Sequence, residues 1–425
     1  MNKKSLLQKI FFTVFGFFAI LICFLLPKKR KKLIWGPMPL ISNKYWSLAM
    51  KEIEWDSETL MTTYYPINER GDFDIYFEDF LPKWFGPTII RRAFGHFFAL
   101  FYIIRNAKVI HMPFSGGPLG NTPLWRLEAF LLRWAGIKTI ILPYGADVYM
   151  YSKVLDASFK NALLMNYPIA AREEVFIEKH VKYWNKMADF ILINGFAIDG
   201  IGRWDIPIPS IICIDINEWK EKEKYSNFDG ENGFVEILHT PNHRGLKGTE
   251  FLINAVNELK KEGLKINLVL LEKVPNKEIE SVMQKVDILA EQFIGTGYAL
   301  SAIEGMASGL SVMSNLENEN YTRVFRRYSF LDECPILSTT PENIKENLRI
   351  LITNPSLRKK LGEAGRKYVE KYHSYKMAQY MFGNIYKKIL HCKDIDFMNL
   401  FHPLKSEYNK SIPEINHPLI KNKIL

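Results

Sequence analysis

The apolar positions of this chain fall into short runs that alternate with helical patterns. An apolar run of four to six residues predicts a buried strand, and apolar residues three and four apart predict an amphipathic helix. Strands that repeatedly precede helices are typical of parallel sheets with crossover helices, so we predict an α/β chain. The predicted strands cover residues 32–36, 108–112, 139–143, 189–194, 235–239, 266–271, 287–293, 311–313 and 334–337, and the clearest helices cover 45–51, 124–134, 247–261, 277–285, 298–308 and 355–390.

A polar, turn-rich stretch at residues 225–233 interrupts the alternation and predicts a domain boundary. One series of strands and helices precedes it and another follows, which predicts two Rossmann-like, doubly wound domains facing a cleft. Such units bind ligands at the carboxyl edges of their sheets. The expected division is a membrane segment at 1–32, an N-terminal domain at 33–228, a C-terminal domain at 229–392 and a loosely held tail at 393–425.

Residues 10–26 carry no charge and consist largely of Phe, Leu and Ile. As a helix they would be about 25 Å long, at the short end of what crosses a bilayer. The run ends at Pro27 and a basic cluster at 28–32 rather than at small residues, which favours an uncleaved anchor over a signal peptide. The heavier basic flank after the run places the folded body at the cytoplasmic face. A helix lying in one leaflet suits the bases equally well, and in both cases we expect the cluster to contact anionic head groups.

The formal net charge of +10 comes mostly from the N-terminus. Residues 1–32 hold eight Lys and Arg and no acid, so the rest of the chain carries a net charge of only +2. This leaves little for the basic stripe that a nucleic-acid-binding surface needs, and we expect no nucleic-acid partner. The four cysteines have no paired spacing, so neither a disulfide framework nor a zinc site is expected.

The segment Gly295-Thr296-Gly297 lies between a predicted strand and a predicted helix that contains Glu304. Glycines at such a turn let backbone amides approach a diphosphate, and the helix N-terminus adds positive potential. A carboxylate inside the helix can accept hydrogen bonds from ribose hydroxyls. A tight turn with a solvated glutamate explains the spacing equally well.

A second strand-loop-helix segment at residues 239–249 concentrates Arg244 and Lys247 beside Gly248. Cations at the carboxyl end of a strand neutralise a leaving diphosphate. The alternative is a surface loop with a solvated lysine. Both segments end strands of one predicted sheet at the same edge, which favours the functional interpretation.

The two segments together resemble the donor domain of GT-B glycosyltransferases, close to the large retaining family four, over residues 235–375. In that family a Lys-Gly pair binds the donor diphosphate, and Lys247-Gly248 matches it. The usual arginine, five residues before the lysine, is replaced by Asn242, so the resemblance gives its role to Arg244.

The family's second signature is a pair of glutamates followed by Met-Ala-x-Gly. Glu304-Gly305-Met306-Ala307-Ser308-Gly309 matches its second half, which implies that Glu304 binds the ribose. Thr296 stands where the first glutamate is usual, and its hydroxyl can still bond a sugar hydroxyl.

In the N-terminal half, residues 142–148 resemble the family's His-Gly-x-Asp segment, with Tyr144 in the histidine position. The resemblance implies that Asp147 lies at the mouth of the cleft and orients or deprotonates the acceptor hydroxyl. A plain capping role for this aspartate is the alternative.

The resemblance implies a metal-independent glycosyltransferase, and neither donor loop contains a DxD pair. Its donor is a nucleotide-sugar co-substrate, with no cofactor, and the membrane segment favours a lipid-linked or polysaccharide acceptor at an anionic membrane surface. The alternatives are a nucleotide-sugar epimerase, a CDP-alcohol phosphotransferase and a non-catalytic subunit of a polysaccharide assembly complex. The candidate residues are Asp147 for catalysis and Arg244, Lys247, Gly248, Gly295, Thr296, Gly297 and Glu304 for the donor.

Overall fold

The chain folds into two parallel sheets covered by helices. The computed structural model describes residues 3–27, 29–193, 195 and 198–424. Lys28 of the basic cluster and Asn194 at the end of a predicted strand lie outside them.

The N-terminal half contains α1 (Lys3–Cys23), β1 (Lys32–Trp35), α2 (Ile41–Lys51), β2 (Ser57–Met61), β3 (Ile75–Tyr76), α3 (Thr88–Asn106), β4 (Ala107–Met112), α4 (Trp125–Trp134), β5 (Lys138–Ile141), α5 (Ala157–Asn166), α6 (Pro168–Arg172), α7 (Glu174–Met187) and β6 (Phe190–Ile191). The C-terminal half contains β7 (Val235–His239), α8 (Arg244–Lys247), α9 (Thr249–Lys261), β8 (Ile266–Leu270), α10 (Asn276–Met283), β9 (Ile288–Gln292), α11 (Leu300–Ala307), β10 (Ser311–Ser314), α12 (Glu319–Tyr328), β11 (Leu337–Ser338), α13 (Ile344–Thr353), α14 (Pro355–Tyr372), α15 (Tyr375–His391) and α16 (Glu407–Ser411).

The first sheet has the strand order β3-β2-β1-β4-β5-β6 and the second β11-β10-β9-β7-β8, with every described pair parallel. The chain therefore reverses its direction of winding between β1 and β4 and again between β7 and β9. Crevices outside the carboxyl ends of strands at such reversals are where doubly wound sheets bind ligands. The prediction of two doubly wound domains is confirmed.

The strands are apolar runs because helices cover both faces of each sheet. In β1, Leu33, Ile34 and Trp35 are almost completely buried. His111 of β4 stacks on Trp35, with ring centroids 3.5 Å apart, and its Nδ1 is 3.1 Å from Ile34 O. Burial lowers the pKa of His111 to about 3, so this histidine is neutral and part of the packed core.

The last long helix, α15, returns to the N-terminal domain and packs on α2. The Tyr386 hydroxyl is 2.9 Å from His111 Nε2, and Gln379 Nε2 donates to Ala49 O at 2.8 Å. The structure thus differs from the expected division, in which residues 229–392 form one domain. Two of the crossings between the domains, near residues 214 and 373, lie side by side, because Ile214 N donates to His373 O at 2.9 Å.

The tail expected to be loosely held packs instead on the C-terminal domain. Asn422 Nδ2 donates to Cys334 O at 2.6 Å and to Ile336 O at 3.0 Å, at the edge of the sheet next to β11. The sequence of the tail has no hydrophobic periodicity because most of the tail is irregular in structure. Its buried residues therefore have no regular spacing. Its buried hydrophobic side chains are Phe397, Leu400, Phe401, Tyr408, Ile415 and Leu419.

Helix α1 lies along the N-terminal domain and contacts α3. Residues Leu6–Cys23 are apolar enough and long enough to cross a membrane, and 28% of them are buried against the protein. Of the expected basic cluster, Lys32 belongs to the fold instead, because its Nζ forms ion pairs with Glu58 and Asp56.

Candidate functional site

The carboxyl edges of the two sheets face each other and enclose a cavity of about 160 Å³. The loops after β7 and β9 form one wall, and the loop after β5 together with α5 forms the other. Both domains therefore contribute residues to one cleft, as expected for paired doubly wound units. The lining residues are Tyr144, Tyr149, Phe159, Gly195, Ile212, Leu246, Gln292, Gly295, Thr296, Gly297, Tyr298 and Ala299.

Lys247 ends α8 and is almost completely buried beside the cavity wall. Its ammonium forms an ion pair with Glu291 at the end of β9 and donates to Gln292 Oε1 at 2.9 Å. An ammonium has three protons, so these two bonds leave one for an incoming oxygen atom. The expected solvated alternative for Lys247 is wrong, because its charge is held inside the domain.

The backbone conformation of Gly248 fixes the position of Lys247. Gly248 has a φ of +73°, which favours glycine, and a Cβ at this position would come within 3.2 Å of the Phe293 side chain. The backbone of Phe293 in turn donates to Lys247 O at 3.2 Å. The Lys-Gly pair thus locks the loop after β7 onto the loop after β9.

Arg244 lies at the start of α8 and is partly exposed. Its guanidinium contacts Glu250 Oε1 at 2.7 Å and Glu272 Oε2 at 3.2 Å, and both glutamates are exposed. A diphosphate must therefore replace these carboxylates to engage the guanidinium. The diphosphate role of Arg244 stays a prediction.

The loop after β9 carries Gly295, Thr296 and Gly297. The Gly297 amide donates to Asn315 O at 2.7 Å, and its φ of +130° requires glycine. The Thr296 hydroxyl oxygen is buried, and no hydrogen-bond partner reaches it from the described residues. A buried polar atom without a partner is costly, so the cavity contains a position where a ligand would satisfy it.

Glu304 lies in the second turn of α11 and is buried. Burial raises the pKa of Glu304 to about 8, and no charge or hydrogen bond among the described residues offsets this shift. Burial raises the pKa of Tyr45 on α2, and the charge of Glu304 raises it further, so the carboxyl group lies near the N-terminal domain. Glu304 is a buried carboxyl group without partners in the described structure, next to the interface between the domains.

Asp147 holds loops together through both of its oxygens. Oδ2 accepts from Phe114 N at 2.9 Å, and Oδ1 accepts from Tyr144 N and Gly145 N, each at 3.0 Å. Burial raises its pKa to about 6, although these amide bonds lower it. The carboxylate thus joins the loop after β4 to the loop after β5, a geometry that favours positioning over proton transfer. The catalytic role of Asp147 stays a prediction.

No protein-family model and no curated protein sequence matches this chain. Among solved structures, sucrose-phosphate synthase from Thermosynechococcus elongatus is similar, with a TM-score of 0.53 and 12% identity over 86% of this chain and all of that one. HepE from Anabaena in complex with UDP has a TM-score of 0.51 and 12% identity, covering 84% of this chain and 99% of that one. An alpha-glucosyltransferase in complex with UDP and DNA has a TM-score of 0.52 and 10% identity, covering 83% and 98%. The chain has the GT-B fold.

The GT-B cleft of this chain is closed by α5, which lies over α8. Asn166 Oδ1 accepts from Leu246 N at 2.8 Å, and the Phe159 ring packs on Gly295, where a Cβ would come within 3.0 Å. The cavity of about 160 Å³ is smaller than the roughly 300–1,000 Å³ of most small-molecule sites. A nucleotide-sized ligand therefore needs a more open arrangement of the two GT-B domains.

The sequence analysis did not identify two buried glutamates that hold the loops around the GT-B cleft. Glu291 holds Lys247 and also accepts from Ser314 Oγ at 2.9 Å, but it lies inside a predicted strand and has no motif of its own. Glu128 accepts from Gly117 N at 2.8 Å and Leu119 N at 2.9 Å and so shapes the loop after β4. A glutamate within an apolar stretch, such as Glu291 in Leu-Ala-Glu-Gln, is the only sequence signal available.

Within the described parts of the chain, no group of three or more His, Cys, Asp or Glu side chains could hold a metal ion. The expectation of metal-independent chemistry is not tested by this observation and stays a prediction.

Proposed function

We propose that this protein is a glycosyltransferase that moves a sugar from a nucleoside-diphosphate donor to an acceptor. The main support for the proposal is the arrangement of side chains where the loops after β7 and β9 meet. There a buried Lys247 with a spare proton and the unpartnered Thr296 hydroxyl adjoin an interdomain cavity. The GT-B fold supports it, since two of the similar structures are complexes with UDP.

The donor diphosphate would bind at this junction. Negative charge develops on it as the sugar leaves, and Lys247 with Arg244 would stabilise that charge in place of a metal. The Gly297 amide already bonds Asn315 O, so we expect the amides of Gly295 and Thr296 to meet phosphate oxygens. Glu304 would accept the ribose hydroxyls. The nucleotide sugar is a co-substrate, and no cofactor is proposed.

Titration with UDP-, GDP-, dTDP- and CDP-linked sugars tests this function. We expect one of them to bind saturably and to release its nucleoside diphosphate only when a membrane lipid extract is present. The Lys261→Ala variant, which removes an exposed charge on α9, serves as the matched control and should bind the same donor equally well. Binding of none of the four classes would instead support a non-catalytic GT-B subunit.

We further propose that the protein works at the cytoplasmic face of a membrane on a lipid-linked or polysaccharide acceptor, with α1 lying in one leaflet. Ring contacts follow α1 along the domain: Phe11 lies 4.9 Å from Phe94, which lies 5.5 Å from Phe85, and Phe24 lies 4.5 Å from Trp134. A helix that crosses the bilayer would leave the domain surface instead of following it.

The side of α1 that faces away from the protein adjoins exposed apolar side chains of α4, of α3 and of the segment just before α3. Soluble proteins rarely expose contiguous apolar surface of this extent, whereas helices that lie in a membrane interface do. Exposed bases border it, namely Lys29, Lys31, Arg126 and Arg133, which suit anionic head groups. We call this surface the apolar face; its side chains are Leu7, Ile10, Val14, Phe17, Phe18, Leu21, Leu25, Trp84, Ile89, Phe130 and Trp134.

The double variant Trp84→Ala/Phe130→Ala should bind anionic vesicles at least about tenfold more weakly, because each ring removed from a membrane forfeits on the order of 1.5–3 kcal/mol. Both side chains are exposed, at 84% and 62%, so folding should be unaffected. Leu404→Ala, an 83%-exposed side chain of the tail, is the control. Vesicle cosedimentation measures the effect. Retention equal to that of the unmodified protein would support a helix that spans the membrane alone.

A further inference from the structure

A basic cavity of about 690 Å³ lies outside the interdomain cleft, between the loop after β2 and the beginning of α3. It is lined by cationic side chains, two carboxylates and small polar groups. Those that carry the inference are Arg70, Lys83, Arg91, Arg92, Glu78 and Asp79.

The carboxylates only partly neutralise these cations. Glu78 accepts from Arg92 Nε at 3.2 Å and lies 3.5 Å from Arg70, which also pairs with Asp79. Lys83 forms no ion pair with any described residue. The four cationic side chains and two carboxylates that line the cavity give it a net charge of +2.

Arg91 also lines the cavity, and backbone carbonyls hold its guanidinium in place. One of its terminal nitrogens donates to Glu78 O at 3.1 Å and Leu81 O at 3.3 Å, which fixes the guanidinium. Its Nε is buried, and no acceptor for it lies among the described residues. A fixed guanidinium with a free donor is suited to a phosphate oxygen.

The cavity joins two surfaces that the proposed function uses. On one side, Lys83 and Thr88 immediately precede Trp84 and Ile89, which are 84% and 77% exposed and belong to the apolar face. On the other side, the loop after β2 begins where Thr62 N donates to Pro37 O at 3.0 Å, at the carboxyl edge that borders the cleft.

We propose that this cavity binds the phosphate or diphosphate of a lipid-linked acceptor whose hydrocarbon chain lies in the leaflet under the apolar face. The inference rests on the proposed function and adds a site for its acceptor. A diphosphate that joins a lipid to a sugar carries a charge of about −2, one for each phosphate, which matches the excess of the cavity. The hydrocarbon chain cannot enter a charged cavity, so the lipid would be held at the border near Trp84. Its sugar-bearing end would then extend toward the cleft.

The test compares binding to phosphatidylcholine vesicles that carry either a long-chain prenyl phosphate or phosphatidylglycerol at matched surface charge. We expect the unmodified protein to prefer the prenyl phosphate by about tenfold. The Lys83→Gln/Arg92→Gln variant should lose this preference. The control, Lys29→Gln/Arg133→Gln, removes equal charge from the border of the apolar face and should weaken binding to both vesicles alike.

Two further measurements separate the outcomes. Inorganic phosphate should displace the prenyl phosphate vesicles poorly, and complete displacement would show a site for free phosphate and overturn the lipid assignment. Donor titration of Lys83→Gln/Arg92→Gln should equal that of the unmodified protein. No vesicle preference with intact donor binding would overturn this inference alone, whereas loss of donor binding in the unmodified protein would overturn the proposed function.

Discussion

Lys247→Ala is expected to abolish measurable donor binding and to lower the free energy of unfolding by about 3 kcal/mol. The stability loss follows because the substitution leaves Glu291 buried and without its counter-charge, and breaking a buried ion pair on one side costs roughly 3–5 kcal/mol. The binding loss follows because the diphosphate would lose the one buried cation at the junction. Urea unfolding and donor titration measure the two effects.

The double variant Lys247→Met/Glu291→Gln separates stability from binding. It removes both charges and keeps similar side-chain volumes, so we expect its stability to return to within about 1 kcal/mol of the unmodified protein. Donor binding should stay absent. If Lys247→Ala binds the donor as tightly as the unmodified protein, the lysine holds the loops together and has no part in donor recognition.

Glu304→Gln should make the protein more stable in alkaline solution. The folded-state pKa of about 8 lies above the ordinary value of 4.5, so the folded protein holds a proton that the unfolded chain releases. Stability is therefore complete below about pH 4.5 and falls as the pH rises toward 8, by up to about 1.4 kcal/mol per unit. The variant should lack this decline, and Glu342→Gln, an exposed glutamate, should keep it.

The same residue should set donor affinity. Above about pH 8 the Glu304 carboxyl group is ionised. Glu304→Ala removes this acceptor for the ribose hydroxyls, and hydrogen bonds to a charged group contribute about 1.5–3 kcal/mol, so we expect donor affinity measured above that pH to fall about ten- to a hundredfold. Glu304→Gln keeps one acceptor oxygen and should lose less. Equal affinity in all three proteins would leave the ribose role of Glu304 without support.

The strands of the C-terminal sheet could be predicted because buried parallel strands are continuous apolar runs. The strand predicted at 235–239 matches β7 (Val235–His239). Strand β2 was missed, since its first three residues are polar. They are nevertheless buried because distant groups satisfy them: Trp35 Nε1 donates to Ser57 Oγ, and Thr59 Oγ1 donates to Asp74. Such pairing has no local signal.

The residues of the candidate site likewise fall into those that the sequence identifies and those that it does not. Lys247 and Glu304 were identified because a motif fixes their position after a strand and within a helix. Glu291 was not, because its role depends on a partner 44 residues away. The same limit applies to α5, whose Asn166 and Phe159 close the cleft from the other domain. A sequence pattern identifies residues within one loop but not the contacts between loops.

The adjacent crossings of the chain between the domains constrain how the cleft opens. Ile214 N bonds His373 O, and His373 Nδ1 lies 2.7 Å from Ile212 O, so both connecting segments move as one narrow strip. Two adjoining segments of this kind resist sliding of one domain past the other but permit the domains to rotate about the line at which the segments cross. We therefore expect donor entry to require a swing with a single degree of freedom, in which α5 separates from α8 while that line serves as the axis.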